Sequence, residues 1–204
     1  MRQLIDFFCA PYAHATAFQI TLEIVAVFFG IVSVLYARKE NIRVFPTGIV
    51  STLLYVFICY EFTLYGDMVI NLYYTLMSFY GWYVWNHKLL GQSIEITTSN
   101  SLDMLKALGI FISTAAFVVG VYLYYDRFDR VTDYFDTFTS GIFFAGMWLM
   151  AHKKIEHWMF WILGNLISIP LYFVKGLGFS GLQFTIFLIL AVQGYIEWKK
   201  HLNK

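Results

Sequence analysis

Long apolar stretches separated by short polar breaks run along the whole chain. A helix needs roughly 20 residues to cross a hydrocarbon core of about 30 Å, and most of the apolar stretches approach this length. Short segments of alternating hydrophobicity, which are typical of β-barrels, do not interrupt the pattern. The pattern predicts seven membrane-spanning helices, which cover about residues 16–37, 44–60, 67–85, 104–125, 136–151, 157–175 and 180–198.

The composition supports an integral membrane protein. Hydrophobic residues make up 59% of the chain, charged residues 13%, and the mean hydropathy is +0.63, whereas soluble domains carry about 25% charged residues. A formal net charge of +1 gives no basic surface for phosphates, so nucleic acid is excluded as a partner and the lipid bilayer is expected. The two cysteines and the histidines that flank the spans (residues 87, 152, 157 and 201) show no metal-ligand spacing, and no cofactor is expected.

Two segments lie outside the predicted spans. Residues 1–15 end in A-H-A like a signal peptide, but Asp6 and Pro11 interrupt the apolar run. A short interfacial helix that leads into the first span is the preferred interpretation. Residues 86–103 form the longest polar segment, which predicts a loop between two halves, with Asp103 as a helix cap.

An internal repeat relates the two halves. A shift of 113 residues places Gly81 and Trp85 on Gly194 and Trp198, and it superposes the polar breaks and the spans. A unit of three spans begins and ends on opposite sides of the membrane, so two units joined directly would have opposite orientations. One linking span between them gives both units the same orientation. The prediction is an all-α membrane protein of 3+1+3 helices, divided into an interfacial segment (1–15), a first repeat (16–86), a loop and linker helix (87–135) and a second repeat (136–204).

Basic residues are distributed unequally between the two sides of the predicted bundle. Ten lie on the side that holds the breaks after spans one, three, five and seven, and four lie on the other side. Because basic residues favour the cytoplasmic side, we expect the carboxyl end in the cytoplasm and the amino end outside.

The sixth span carries the strongest candidate site. Trp158, Trp161, Asn165, Ser168 and Tyr172 follow one another at spacings of three and four, so they share one helical face. Indole rings attract flat cations, and an amide both donates and accepts hydrogen bonds. The stripe predicts one wall of a substrate site, although an interfacial tryptophan or an interhelical asparagine would have the same spacing.

Weaker candidates lie on other spans. Glu23 is an ionisable residue within the first span, and it either faces the interior of the bundle or lies near an interface with its carboxylate turned to water. The other candidates are Thr52, Asn71, Tyr74 and Gln183. The hydroxyl of Thr52 could instead bond to helix backbone, and the other three could form hydrogen bonds between helices.

Several motifs resemble one known family. These are W-x-x-W-x-x-x-N and S-I-P-L-Y in the sixth span, the helix ends G-W-x-x-W and G-Y-x-x-W, E-N-I-x-x-F-P-T-G at residues 40–48, and L-Y-G-D at residues 64–67. Together they are similar to the PnuC family of nicotinamide riboside transporters, over nearly the whole chain except residues 1–15 and 86–103. Phe45 stands where this family pattern leads us to expect tryptophan.

The resemblance implies a bundle related to the SWEET sugar transporters, in a bacterial inner membrane. It also implies facilitated diffusion of nicotinamide riboside, which a cytoplasmic riboside kinase would then trap by phosphorylation. Thiamine and riboflavin are alternative substrates within the same family, and the oligomeric state, including a homo-oligomer, stays open. A membrane-embedded enzyme or binding subunit is the rival class, but the sequence shows neither a P-loop nor a nucleophile paired with a base, so an enzyme is not expected.

Overall fold

A computed structural model describes residues 16–61, 65–87, 94–124, 130–174 and 178–202. These residues form α-helices joined by short connections, with one isolated β-bridge between Thr97 and Lys154. The predicted interfacial helix at 1–15 lies outside the described residues. The helices are α1 (Ala17–Arg38), α2 (Val44–Glu61), α3 (Tyr65–Asn86), α4 (Ser101–Tyr124), α5 (Val131–Ala151), α6 (His157–Val174) and α7 (Gly178–Leu202).

Helices α4 and α5 begin at residues 101 and 131, several residues earlier than hydropathy predicted, because polar side chains start them. Asn100 precedes α4; its side chain accepts from the Asp103 N–H at 2.8 Å, and the Asp103 carboxylate accepts from the Asn100 N–H at 3.1 Å. This reciprocal pair makes Asn100 the cap of the helix, so the prediction of Asp103 as the cap was wrong. At α5, the Asp133 carboxylate accepts from the Arg130 N–H at 2.9 Å in the same way.

Five of the described helices are long and apolar enough to cross a membrane: α1, α2, α4, α6 and α7. The protein is therefore a multi-pass membrane protein. Helices α3 and α5 fall short of this criterion, and α5 carries two carboxylates, Asp133 and Asp136, near its amino end. The prediction that all seven helices span the membrane stays a prediction.

Six of the helices pack as a closed ring. Each of α1, α2 and α3 contacts its neighbour in sequence, as do α5, α6 and α7. The ring closes through contacts between α3 and α5 and between α1 and α7. Helix α4 packs on α5, beside the ring.

One end of the ring is closed by four aromatic residues, here called the aromatic seal: Phe45, Trp85, Trp158 and Trp198. The ring of Phe45 meets that of Trp85 edge to face at 4.9 Å, and Trp158 meets Trp198 in the same way at 5.8 Å. A glycine lies beneath each pair, because a Cβ at Gly81 or Gly194 would fall 2.3 or 2.5 Å from the ring of Phe45 or Trp158, respectively.

Two indoles of the seal bond across the ring of helices. The indole N–H of Trp85 donates to the Met150 carbonyl at 3.3 Å, and that of Trp198 donates to the Ala37 carbonyl at 3.0 Å. Both the donors and the acceptors are 113 positions apart in the sequence. The two bonds are therefore reciprocal between the two halves of the chain.

An ion pair lies at the same end. Glu40 and Lys153, again 113 positions apart, both adopt left-handed backbone conformations with φ of 52° and 50°. The Lys153 ammonium contacts the Glu40 carboxylate at 2.6 Å and lies 4.6 Å from the centre of the Trp85 ring. Helix connections from both halves are thus joined directly.

Candidate functional site

A cavity of about 830 Å³ lies within the bundle, and all seven described helices contribute residues to it. Its volume is in the range typical of small-molecule sites. Phe45 and Trp158 of the aromatic seal bound it at one end. At the opposite end it is lined by half-buried residues, among them Gln19, Glu23 and Ser180.

The ten candidate residues from the sequence all line this cavity. They are Glu23, Thr52, Asn71, Tyr74, Trp158, Trp161, Asn165, Ser168, Tyr172 and Gln183. The structure therefore brings together residues from α1, α2, α3, α6 and α7. Their role in substrate binding stays a prediction.

Helix α6 contributes buried polar atoms that the protein itself does not satisfy. Trp158 and Asn165 are 2% and 1% exposed. Among the described residues, no hydrogen-bond partner exists for the indole N–H of Trp158 or Trp161, or for either polar side-chain atom of Asn165. Each unsatisfied buried group costs about 1–3 kcal/mol. These atoms are therefore expected to bond to a ligand or to water.

On the α1–α2 side of the cavity, several small polar side chains already have hydrogen-bond partners within the protein. Ser33 donates to the Val44 carbonyl at 2.7 Å and Ser51 to the Ala26 carbonyl at 2.8 Å. The hydroxyl of Thr52 contacts that of Thr75 at 2.7 Å. The unsatisfied groups named above lie on α6 instead.

Aromatic rings fill much of the α5–α6 side. Phe143 packs against Trp161, with ring centres 5.7 Å apart, and it lies over Gly164, where a Cβ would be 2.3 Å from the ring. The indole of Trp161 lies over Gly146 in the same way, and a Cβ added at Gly146 would be 3.2 Å from the indole nitrogen. Glycines at these two positions allow the rings to lie close to the helix backbones.

The charge of the cavity is negative. Among the described lining residues, Glu23 and Asp136 carry carboxylates, and none is lysine or arginine. The hydroxyl of Tyr122 donates to Asp136 at 3.3 Å. Such a lining favours a cation over a phosphate-bearing ligand.

Two of the lining residues that escaped the sequence analysis could have been found by its own arguments, namely His157 and Asp136. His157, which was grouped with histidines flanking the spans, is wholly buried on the cavity. It lies four residues before Trp161 and eight before Asn165, so extension of the same helical spacing would have included it. Asp136 lies 113 positions after Glu23, so the internal repeat would have indicated it.

A resident metal is not indicated by the described part of the chain. No group of three or more His, Cys, Asp or Glu residues that could hold a metal ion occurs there. The lining instead combines rings, amide groups, hydroxyls and two carboxylates. This chemistry suits an organic cation that carries hydrogen-bonding groups.

Comparison with known proteins identifies the family. The family model described as "Nicotinamide mononucleotide transporter" matches residues 20–200. The nicotinamide riboside transporter PnuC of Neisseria mucosa is 30% identical over 190 residues, which cover 88% of this chain and 72% of that protein. The riboflavin/roseoflavin transporter RibM of Streptomyces davaonensis is 27% identical over 130 residues, which cover 60% of this chain and 58% of that protein.

A solved structure agrees with this result. The crystal structure of the vitamin B3 transporter PnuC superposes with a TM-score of 0.68 at 25% sequence identity, and it covers 89% of this chain and 82% of its own. The family model spans most of the sequence, and the Neisseria protein matches across most of both chains. The chain therefore belongs to the PnuC family of membrane transporters.

Proposed function

We propose that this protein carries nicotinamide riboside across the membrane by facilitated diffusion. The observation that carries the proposal is the set of unsatisfied buried atoms on α6: two indole N–H groups and both polar atoms of Asn165, all on one cavity. PnuC of Neisseria mucosa is named for the same substrate.

The chemistry of the substrate fits these groups. Nicotinamide riboside is a flat pyridinium cation with a carboxamide and a sugar. Stacking of a cation on the ring of Trp161 contributes about 0.5–2 kcal/mol, and Asn165 can both donate to and accept from the carboxamide. The carboxylates of Glu23 and Asp136 add attraction for the positive charge.

The mononucleotide in the description of the family model is a poorer fit. Its phosphate would enter a cavity whose described lining has two carboxylates and no lysine or arginine. Buried phosphates are normally paired with arginine, lysine or a helix N-terminus. The riboside is therefore the preferred substrate.

We also infer that residues 16–86 and 136–204 are two parallel three-helix repeats joined by α4. The reciprocal Trp85 and Trp198 bonds, the Glu40–Lys153 pair and the closed ring support this arrangement, because each relates positions or contacts that are equivalent under the 113-residue shift. If the carboxyl end lies in the cytoplasm of a bacterium, the aromatic seal closes the cytoplasmic end of the cavity. A riboside kinase in the cytoplasm would then trap the transported riboside by phosphorylation.

Ligand titration tests the substrate. Purified protein is titrated with nicotinamide riboside, nicotinamide mononucleotide, thiamine and riboflavin while tryptophan fluorescence is followed. The riboside is expected to bind and the mononucleotide is not. If thiamine alone binds, the protein is a thiamine transporter instead. If riboflavin alone binds, its substrate is the one for which the Streptomyces relative is named.

Uptake into vesicles tests the mode of transport. Because the riboside is a cation, the membrane potential of the liposomes is held at zero. The reconstituted protein is then expected to equilibrate labelled riboside at the same rate with and without a proton or sodium gradient, because facilitated diffusion needs no coupling ion. Asn165→Leu serves as the matched variant with weakened binding. Accumulation above the external concentration that disappears when the ion gradient is removed would show ion coupling instead.

A further inference from the structure

His157 is a buried histidine at the sealed end of the cavity, and the transport proposal above does not use it. Its side chain is 0% exposed, and its Nδ1 lies 2.7 Å from the Lys154 carbonyl oxygen. Because a carbonyl only accepts hydrogen bonds, this contact assigns the ring proton to Nδ1. In the neutral imidazole, Nε2 is then an acceptor.

Two aromatic neighbours also hold the ring in place. Its centre lies 4.4 Å from that of Trp158 and 4.7 Å from that of Trp198. Rotation would break both the aromatic contacts and the bond to Lys154. The acceptor is therefore positioned before any ligand binds, which lowers the entropy lost on binding.

The Nε2 atom is buried and has no hydrogen-bond partner among the described residues. Unlike the two unsatisfied indole N–H groups, which are donors, it can only accept. Its natural partner is therefore an O–H or N–H group of a ligand. His157, Trp161 and Asn165 are spaced by four residues, which places the ends of this row roughly 12 Å apart along α6.

That row matches the two ends of a riboside. Asn165 suits the carboxamide, since each group has a donor and an acceptor. We propose that His157 Nε2 accepts a hydrogen bond from a sugar hydroxyl of the substrate. This histidine would then select ribosides over pyridinium cations that lack the sugar. The proposal rests on the proposed function, because it assumes that the cavity binds the riboside.

Selectivity measured within one variant tests the role of His157. Affinities for nicotinamide riboside and for the N-methylpyridinium analogue of nicotinamide, which lacks the sugar, are measured by calorimetry on wild type and His157→Phe. The phenyl ring keeps the aromatic contacts and removes the acceptor. Riboside affinity is expected to fall about tenfold, as for loss of one buried hydrogen bond, with the affinity for the analogue unchanged.

The ratio of the two affinities separates recognition from folding, because unfolded protein lowers both values equally. His157→Gln, whose amide oxygen can accept, is expected to restore part of the ratio. An equal loss for both ligands, or no loss for either, would overturn the role of His157. Wild-type protein that binds the analogue but not the riboside would overturn the proposed function instead.

Riboside analogues that lack single hydroxyls test the same bond without any variant. One of these analogues is expected to bind the wild-type protein about tenfold more weakly than the riboside does. In His157→Phe, the same analogue and the riboside are expected to bind with equal affinity. If every such analogue binds wild type like the riboside, the site holds a water molecule on His157 Nε2 and the proposal fails.

Discussion

Replacement of Asn165 by leucine should shift stability and binding in opposite directions. Asn165 is 1% exposed, and neither of its polar side-chain atoms has a partner among the described residues. Where no water reaches it, each such atom costs the empty protein about 1–3 kcal/mol, and water in the cavity lowers this cost. Leucine has the same number of side-chain heavy atoms, and none of them is polar. Asn165→Leu is therefore expected to raise the free energy of unfolding of the empty protein by about 1–3 kcal/mol in total.

Binding should weaken in the same variant. The amide is expected to form two hydrogen bonds with the carboxamide of the riboside, and leucine would leave both substrate groups unsatisfied. A loss of about 1.5–3 kcal/mol corresponds to a roughly 10- to 150-fold weaker affinity. Uptake at low substrate concentration should fall by the same factor.

Thermal unfolding in detergent, followed by tryptophan fluorescence with and without riboside, measures both effects. A gain of 1 kcal/mol corresponds to a shift of roughly 2–4 °C in Tm for a chain of this size. Ser51→Ala is the matched control, because the Ser51 hydroxyl already donates to the Ala26 carbonyl at 2.8 Å, and its loss should lower Tm. If Asn165→Leu lowers Tm as Ser51→Ala does and still binds riboside, Asn165 is an interhelical bond and the reasoning fails.

Three further predictions concern the indole N–H of Trp161, the aromatic seal and the ion pair between Glu40 and Lys153. Trp161→Phe keeps an aromatic face but loses the N–H, so riboside affinity should fall severalfold, whereas an unchanged titration would remove that N–H from the site. Gly194→Ala puts a Cβ 2.5 Å from the Trp158 indole and should lower Tm by several degrees. The control is Gly120→Ala, which has nothing within 4 Å of the added Cβ and should leave Tm unchanged or raise it. Equal effects of the two variants would show that the aromatic seal tolerates the added methyl group. Glu40→Gln leaves the Lys153 ammonium without its carboxylate and should lower Tm. The double variant Glu40→Lys with Lys153→Glu restores the pair in reverse and should recover part of the loss. No recovery would indicate a backbone effect at these left-handed positions.

The existence and order of the helices could be predicted from hydropathy, because the bilayer sets a length that apolar runs must meet. The starts of α4 and α5 could not, because they depend on local hydrogen bonds such as that between Asn100 and Asp103. Hydropathy treats these residues as loop, whereas capping makes them the first turn of a helix.

The candidate site was predicted best where it lies on one helix. The spacing of Trp161 and Asn165 fixes their common face on α6, whatever the packing of the other helices. The ring of Phe143 over Gly164 could not be predicted, since it depends on the distance between α5 and α6. His157 was accessible to the same spacing argument and was missed because its position at the end of a span suggested an interface.

The proposed repeats agree where the halves bond to each other and differ at several positions that face the cavity. Trp85 and Trp198 are identical and bond reciprocally, whereas Thr52 corresponds to Asn165 in the sequence shift and has a hydroxyl bonded to a neighbouring helix. A vitamin with a cation at one end and a sugar at the other has no two-fold symmetry, so identical walls could not match it. Specificity can therefore change through the lining residues while the reciprocal bonds at the seal stay intact.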